Sequence, residues 1–293
     1  MAGRIGSLHT LKLHFYYSQD LHIFLAPGAQ CLRSLDLAIT VLADPVDAYA
    51  LEGLRYLRIR KQSMAFAGAL VGSPHIEEID VLEATIADSD ALAQLMNKIH
   101  GNCQPDVLRR VRIHERLEKD VQTWHVTRRH LAALMSFHGL VEVDICTTGE
   151  LSMTDVDWAA VVPQWCSLRV FKVKQAFSRR GDIGPTPATV KAPPPDATLG
   201  ALITFATHCP ELEELALQLH ATTIPTLVGP QLTLSQNRLY ELDIGRDCGI
   251  HGMSTLVFDF LHSLFPSLRT IKVDPKPDDY SNWGLVQWQA RMA

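Results

Sequence analysis

The sequence lacks any Cys-x-x-Cys pair: Cys31, Cys103, Cys146, Cys166, Cys209 and Cys248 are scattered along 293 residues. That spacing excludes a zinc knuckle and a dithiol redox couple, and reads as reduced, mostly buried thiols. Long apolar runs are missing too. No stretch approaches the roughly 20 residues a bilayer helix needs, and residues 1–17 are broken by Arg4, Lys12 and His14, so no secretion signal is expected in them. Neither charge sign dominates. The 27 Lys and Arg stand against 32 Asp and Glu, so no positive field gathers nucleic acid or anionic lipid. These absences point to the cytoplasm or nucleus, with no nucleic-acid and no membrane partner.

Catalytic signatures are equally scarce. There is no Gly-x-x-x-x-Gly-Lys, no Gly-x-Gly-x-x-Gly, no Gly-x-Ser-x-Gly and no His-Glu-x-x-His. The histidines follow no ligand spacing: His125 and His130 are five apart, and the rest read as caps or packing residues. Cys209 follows His208, but adjacent side chains diverge and Pro210 marks a helix end. The tryptophans are too dispersed for a base-stacking platform and read as core or cap packing. Asp155 and Asp157 read as carboxylates at a helix N-terminus rather than a general acid/base pair. No catalytic residue, cofactor or metal is expected.

What the chain does have is a 47% apolar composition, ample for a core, and a repeat. An aliphatic residue, two variable residues, an apolar residue, one variable residue and another apolar residue recur ten times, from Leu8-Leu11-Leu13 and Leu32-Leu35-Leu37 through Ile76-Ile79-Val81 to Leu268-Ile271-Val273. The copies start 22 to 44 residues apart, near the leucine-rich-repeat range. The last two apolar residues, two apart, share one face of a short strand, and the first anchors the turn entering it. Helical stretches are expected between them at 62–71, 88–100, 128–138, 154–165, 198–209 and 254–265. Oxygens of Asp88, Ser89, Asp90, Ser254 and Thr255 suit the helix starts, and Pro74, Pro105, Pro210 and Pro266 suit the stops.

Strand–helix–strand alternation at this spacing requires parallel pairing. The expected fold is α/β: a single irregular leucine-rich-repeat-like solenoid over residues 1–293, with a curved parallel sheet and helices on the outer face. An exposed loop insertion is expected at 174–198. The competing doubly wound sheet predicts strands buried on both faces and a Gly-rich first turn. No asparagine ladder can form, because Tyr16, Thr40, Gln62, Ala84, Arg116, Thr148, Ala176, His220, Asp247 and Lys276 occupy its positions.

The residue between the last two apolar positions points to the open face. The row reads Lys12, Asp36, Arg58, Asp80, Arg112, Asp144, Lys172, Ala216, Asp243 and Lys272, alternating in sign over its first seven members. Two readings of this face stand side by side. In one, opposite charges on adjacent strands pair laterally into a self-satisfied ladder. In the other, Tyr56, Arg58, Arg60, Arg110, Arg112, His114, Lys172 and Lys174 bind a protein partner, with Glu78, Glu142, Glu214 and Glu241 beside them. Arg109, Arg110 and Arg112 are the most basic local cluster.

Two segments carry a family resemblance. Cys209-Pro210-Glu211-Leu212-Glu213-Glu214-Leu215 and Leu264-Phe265-Pro266-Ser267-Leu268-Arg269-Thr270-Ile271 resemble the helix-end-to-strand segments of fungal F-box/leucine-rich-repeat proteins of the basidiomycete type, and Trp283 and Val286 are similar to their tryptophan-containing tail. The likeness spans nearly the whole chain. It implies a solenoid that recruits a protein target, the substrate-recognition part of a ubiquitin-ligase subunit. In that family a separate N-terminal F-box docks a Skp-type adaptor. Here the repeats begin at Leu8 with no Leu-Pro-x-Glu opening, so adaptor docking is implied only if an F-box lies upstream. The alternatives are an α/β enzyme with a pocket under the 174–211 segment, and a truncated repeat protein with no partner.

Overall fold

A computed structural model describes residues 9–15, 31–39, 51–86, 88–116, 124–176, 196–226, 238–246, 248–250, 252–274 and 279–292. In chain order the strands are β1 (Thr10–Phe15), β2 (Ser34–Ile39), β3 (Tyr56–Arg60), β4 (Glu78–Ala84), β5 (Arg110–Glu115), β6 (His125–Val126), β7 (Glu142–Thr147), β8 (Glu150–Leu151), β9 (Val170–Gln175), β10 (Glu214–Ala216), β11 (Glu241–Arg246) and β12 (Thr270–Asp274). The helices are α1 (Met64–Leu70), α2 (Ser89–Asn102), α3 (Arg128–Ala132), α4 (Asp155–Val161), α5 (Gly200–His208), α6 (Ser254–Leu264) and α7 (Tyr280–Met292). The fold is α/β. All strands but β6 and β8 form one ten-stranded sheet, in the order β1-β2-β3-β4-β5-β7-β9-β10-β11-β12, with every pairing parallel.

Sheet order follows chain order without reversal, so the described strands contain no switch point of the doubly wound kind. Crossovers that all run one way and share the usual right hand set their helices on one face. Accordingly, consecutive helices touch each other: α1 with α2, α2 with α3, α3 with α4, α4 with α5, and α6 with α7. The inward row Leu37, Ile59, Val81, Ile113 and Ile145 has no solvent exposure and joins the same apolar cluster as Phe66, Leu95, Leu134 and Phe205 from the helical side.

The aliphatic residue that opens each repeat does more than fill space. Leu54, Ile76, Leu108, Leu140, Leu168, Leu212 and Leu239 are fully buried just ahead of their strands. This anchoring lets one carbonyl accept two N–H groups from the next repeat. His9 accepts from Arg33 and Ser34, Arg33 from Arg55 and Tyr56, Arg55 from Glu77 and Glu78, and the pattern continues to Tyr240, which accepts from Arg269 and Thr270.

At the strand exits no asparagine ladder forms, and backbone bonds take its place. Thr85 N–H donates to Gln62 O at 3.0 Å, Arg116 N–H to Ala84 O at 2.8 Å, and Ala176 N–H to Thr147 O at 2.5 Å. Gln62 is fully buried, and its amide donates to Lys61 O. Glu115 accepts from both N and Oγ1 of Thr148, whose carbonyl accepts from Gln175. Tyr16, Thr40, Asp247 and Lys276 lie outside the described residues, as does the first repeat's Leu8.

Several expectations need correction. The helix expected at 128–138 ends at Ala132, because Leu131, Leu134 and Phe137, three apart and all buried, are served by tighter turns: Leu134 N–H donates to Leu131 O and Phe137 N–H to Leu134 O. After α4 the chain tightens into a 3₁₀ turn over Val162–Gln164, which contains Pro163. Ser254 does not cap α6; the N-cap is Met253, with no side-chain bond. α7 and the small parallel β6–β8 pair were not anticipated. Cys31 and Cys166 are exposed, not buried, and Trp288 is exposed rather than core. Of the loop expected at 174–198, Lys174 and Gln175 belong to β9, and residues 177–195 lie outside the described residues.

Candidate functional site

Register places the open-face residues in three rows. The central one aligns Lys12, Asp36, Arg58, Asp80, Arg112, Asp144, Lys172, Ala216, Asp243 and Lys272 strand by strand, as the repeat implied. Two residues earlier run Ser34, Tyr56, Glu78, Arg110, Glu142, Val170, Glu214 and Glu241, and two residues after the central row lie Arg60, His114, Cys146 and Lys174. All eight expected partner-binding residues therefore share one face.

Their side chains are already engaged within the protein, on a pattern the sequence did not reveal. Arg58 pairs straight across with Asp80 Oδ2, through Nε at 3.0 Å and Nη2 at 2.7 Å. Arg110 also faces its partners Glu78 and Glu142 straight across, whereas the remaining contacts run diagonally, because the basic side chains reach the 7–8 Å offset between rows. Arg60 Nη2 donates to Asp36 Oδ2 at 3.0 Å, and Arg112 Nε to Glu142 Oε1 at 2.5 Å. Arg110 bridges Glu78 at 2.6 Å and Glu142 at 2.8 Å. Lys172 Nζ donates to Glu214 at 2.5 Å. Lys174 reaches Asp243 two strands away, where Ala216 on the strand between offers little obstruction. His114 Nε2 lies 3.1 Å from Asp144 Oδ2, an approach that becomes an ion pair on protonation. Tyr56 donates to Glu77 at 3.1 Å.

Titration behaviour follows these contacts. The Glu142 bond raises the Arg112 pKa further, and the Glu77 bond raises that of the Tyr56 hydroxyl. Burial is the largest single influence on Lys172 and works against its charge, but the bond to Glu214 together with the charges of Glu214, Asp144 and Glu241 outweighs it and raises the pKa above the usual lysine value. Bonds from Lys172 and Tyr240 hold the Glu214 carboxyl low, while Glu214 pushes the Tyr240 hydroxyl up to about 12. Tyr240, exposed and bonded to Glu214 at 2.6 Å, is a face residue that sequence reasoning missed. Its signal was an aromatic immediately before a strand's first acidic residue.

The Arg109–Arg110–Arg112 cluster is split up. Arg109 turns to Gly139 O, while Arg110 and Arg112 converge on Glu142. A phosphate would have to displace carboxylates to use them.

One constellation has the outward form of a catalytic pair. Ser89 Oγ lies 3.1 Å from His130 Nε2. The Thr127 N–H donates to His130 Nδ1 at 2.9 Å, so Nδ1 carries no proton and Nε2 does. Nε2 then donates to Ser89, whose backbone oxygen is 3.0 Å away, and cannot accept the hydroxyl proton. His130, fully buried, is a capping-box residue for α3. Asp157 plays that role for α4 with Thr154, and Asp155 binds N and Oγ1 of Thr198 ahead of α5. Cys209 Sγ faces Trp165 O, and burial pushes its thiol up to about 12, the reverse of a nucleophile's shift.

Among the described residues, no group of three or more His, Cys, Asp or Glu is arranged to hold a metal ion, and no helix is long and apolar enough to cross a membrane. A cleft of about 190 Å³ opens over β1–β4, between Lys12, Asp36, Tyr56, Arg58, Glu78 and Asp80. No protein-family model matches the chain, and no curated protein matches it.

Proposed function

We propose that this chain is a leucine-rich-repeat-like solenoid, and that its open strand face is a non-enzymatic protein-binding surface of the cytoplasm or nucleus. The observation that carries the reading is a ten-stranded parallel sheet in unbroken chain order, with one face packed by helices and the other lined by charged residues and tyrosines. Nine strand spacings of about 4.8 Å give a face roughly 40 Å long, and four residue steps make it roughly 13 Å wide. That area is of the same order as the ~800 Å² each partner contributes to a standard interface. Tyr56 and Tyr240 are the exposed aromatic anchors, and the ion-paired arginines around them are ordered before a partner arrives, which lowers the entropic cost of docking.

On this reading the protein resembles the substrate-recognition part of an F-box ubiquitin-ligase subunit, and a Skp-type adaptor enters only through an F-box upstream. The test is Tyr56→Ala combined with Tyr240→Ala, which leaves every buried carboxylate its partner. Affinity capture from native lysate with cross-linking at the face should lose its prey at least tenfold. Unchanged prey would remove the open face as the partner surface. Solution scattering checks the shape: a curved, elongated particle is expected, and a compact one overturns the solenoid.

A further inference from the structure

Two carboxylates on the open face are each only half satisfied. Asp36 is 8% exposed and Asp80 4% exposed. Each gives Oδ2 to an arginine, Asp36 to Arg60 and Asp80 to Arg58, and each keeps a buried Oδ1 with no hydrogen-bond partner. Both residues line the cleft of about 190 Å³ over β1–β4. A buried acceptor left unpaired is costly, and an ionised carboxylate oxygen accepts only, so whatever completes this site must bring N–H or O–H donors.

We propose that this cleft receives a single basic side chain, an arginine guanidinium, presented by a protein partner. Asp36, Glu78 and Asp80 line it beside Lys12 and Arg58, and Asp36 and Glu78 are also paired with Arg60 and Arg110, so what favours a donor-rich cationic guest over an anion is the two unpartnered Oδ1 acceptors rather than net charge. Its volume lies below the roughly 300 Å³ at which small-molecule sites begin, and suits one side chain. Asp36 and Asp80 sit on β2 and β4, about 10 Å apart at two strand spacings, so donors spread over a planar fork serve better than one compact ammonium. The exposed Tyr56 ring at the cleft supplies a face on which a guanidinium stacks.

The assignment rests on the open face being the partner surface, and its test is independent of any partner. ¹⁵N-labelled protein is titrated with N-acetylarginine amide, with the neutral isostere N-acetylcitrulline amide and with N-acetyllysine amide. Saturable amide shifts at Asp36, Tyr56 and Asp80 are expected in the range of about 1–10 mM for arginine, as a few hydrogen bonds provide. Lysine should bind more weakly, and citrulline at least tenfold more weakly. Asp36→Asn with Asp80→Asn should weaken arginine binding at least tenfold while spectral dispersion elsewhere is kept; Asp36→Asn alone serves if the pair unfolds the chain. Absence of saturation, equal binding of citrulline, or unchanged binding by the folded variant overturns the proposal. If arginine fails to bind yet the tyrosine variant still loses its prey, only the pocket falls. If arginine binds and the prey is unchanged, only the partner face falls.

Discussion

Asp80 lies beneath Arg58: one carboxylate oxygen takes both Nε and Nη2 of the guanidinium, and the aspartate is 4% exposed while the arginine side chain remains 43% exposed. The pair is asymmetric, with the arginine acting as a half-wet cover over a buried charge. Arg58→Ala should therefore cost more than an ordinary surface pair, about 1–3 kcal/mol, because it strands the carboxylate. Adding Asp80→Asn should recover a large part of the loss. Urea unfolding of the two variants measures this, and equal stabilities would show that the charge was not stranded.

His130 makes stability depend on pH. Burial lowers its pKa below the usual 6.5, although the carbonyls of Ser89 and Thr127, to which a protonated ring can donate, oppose the shift. Above pH 6.5 both folded and unfolded chains hold the ring neutral, and its stabilising contacts are fully present. As the pH falls from 6.5 toward the lower folded value, the unfolded chain takes the proton first and stability drops. Melting temperatures recorded from pH 7.5 to 5 should fall less steeply for His130→Gln than for the parent.

The six thiols divide by environment. Burial pushes Cys103 and Cys209 up to about 12 and also raises Cys146, while Cys31 and Cys166 are exposed. Iodoacetamide at pH 8 should alkylate Cys31 and Cys166 first, with Cys103, Cys209 and Cys248 labelled only after denaturation. Mass spectrometry of timed digests reads the order directly.

Phe171 on β9 meets Trp158 edge-on at 5.6 Å, Trp165 at 5.5 Å and Phe205 at 5.2 Å between ring centroids. All four are fully buried. Phe171→Ala should cost about 3–5 kcal/mol, the range for an aromatic removed from a packed interior. A loss under about 1 kcal/mol in chemical unfolding would mean that the cluster can collapse around the gap.

Gly149 carries no side chain because the Trp124 indole covers it: a Cβ there would sit 2.7 Å from three ring atoms. Gly149→Ala should displace Trp124 from its contact with His130 and change the indole fluorescence. An unchanged emission spectrum would show that the ring has room to move.

The amino-acid sequence by itself determined which residues form the strands of the ten-stranded sheet, which face each of them takes and how the central charge row aligns. Residues two apart on a strand share a face, and parallel repeats that bury one aliphatic row can slip only by exposing it, so Leu57, Ile79 and Val111 set the register for Arg58, Asp80 and Arg112. Tertiary structure alone decided which charges meet. The side-chain length and the neighbour across the strand send Arg112 to Glu142 and Lys174 over Ala216 to Asp243, and neither choice has a local signature. It also decided the proton position on His130, through an amide three residues away and a serine on another helix, and the depth of Asp36 and Asp80, through arginines that fold over them. Periodicity is a property of the chain, whereas burial and partnership are properties of what surrounds it.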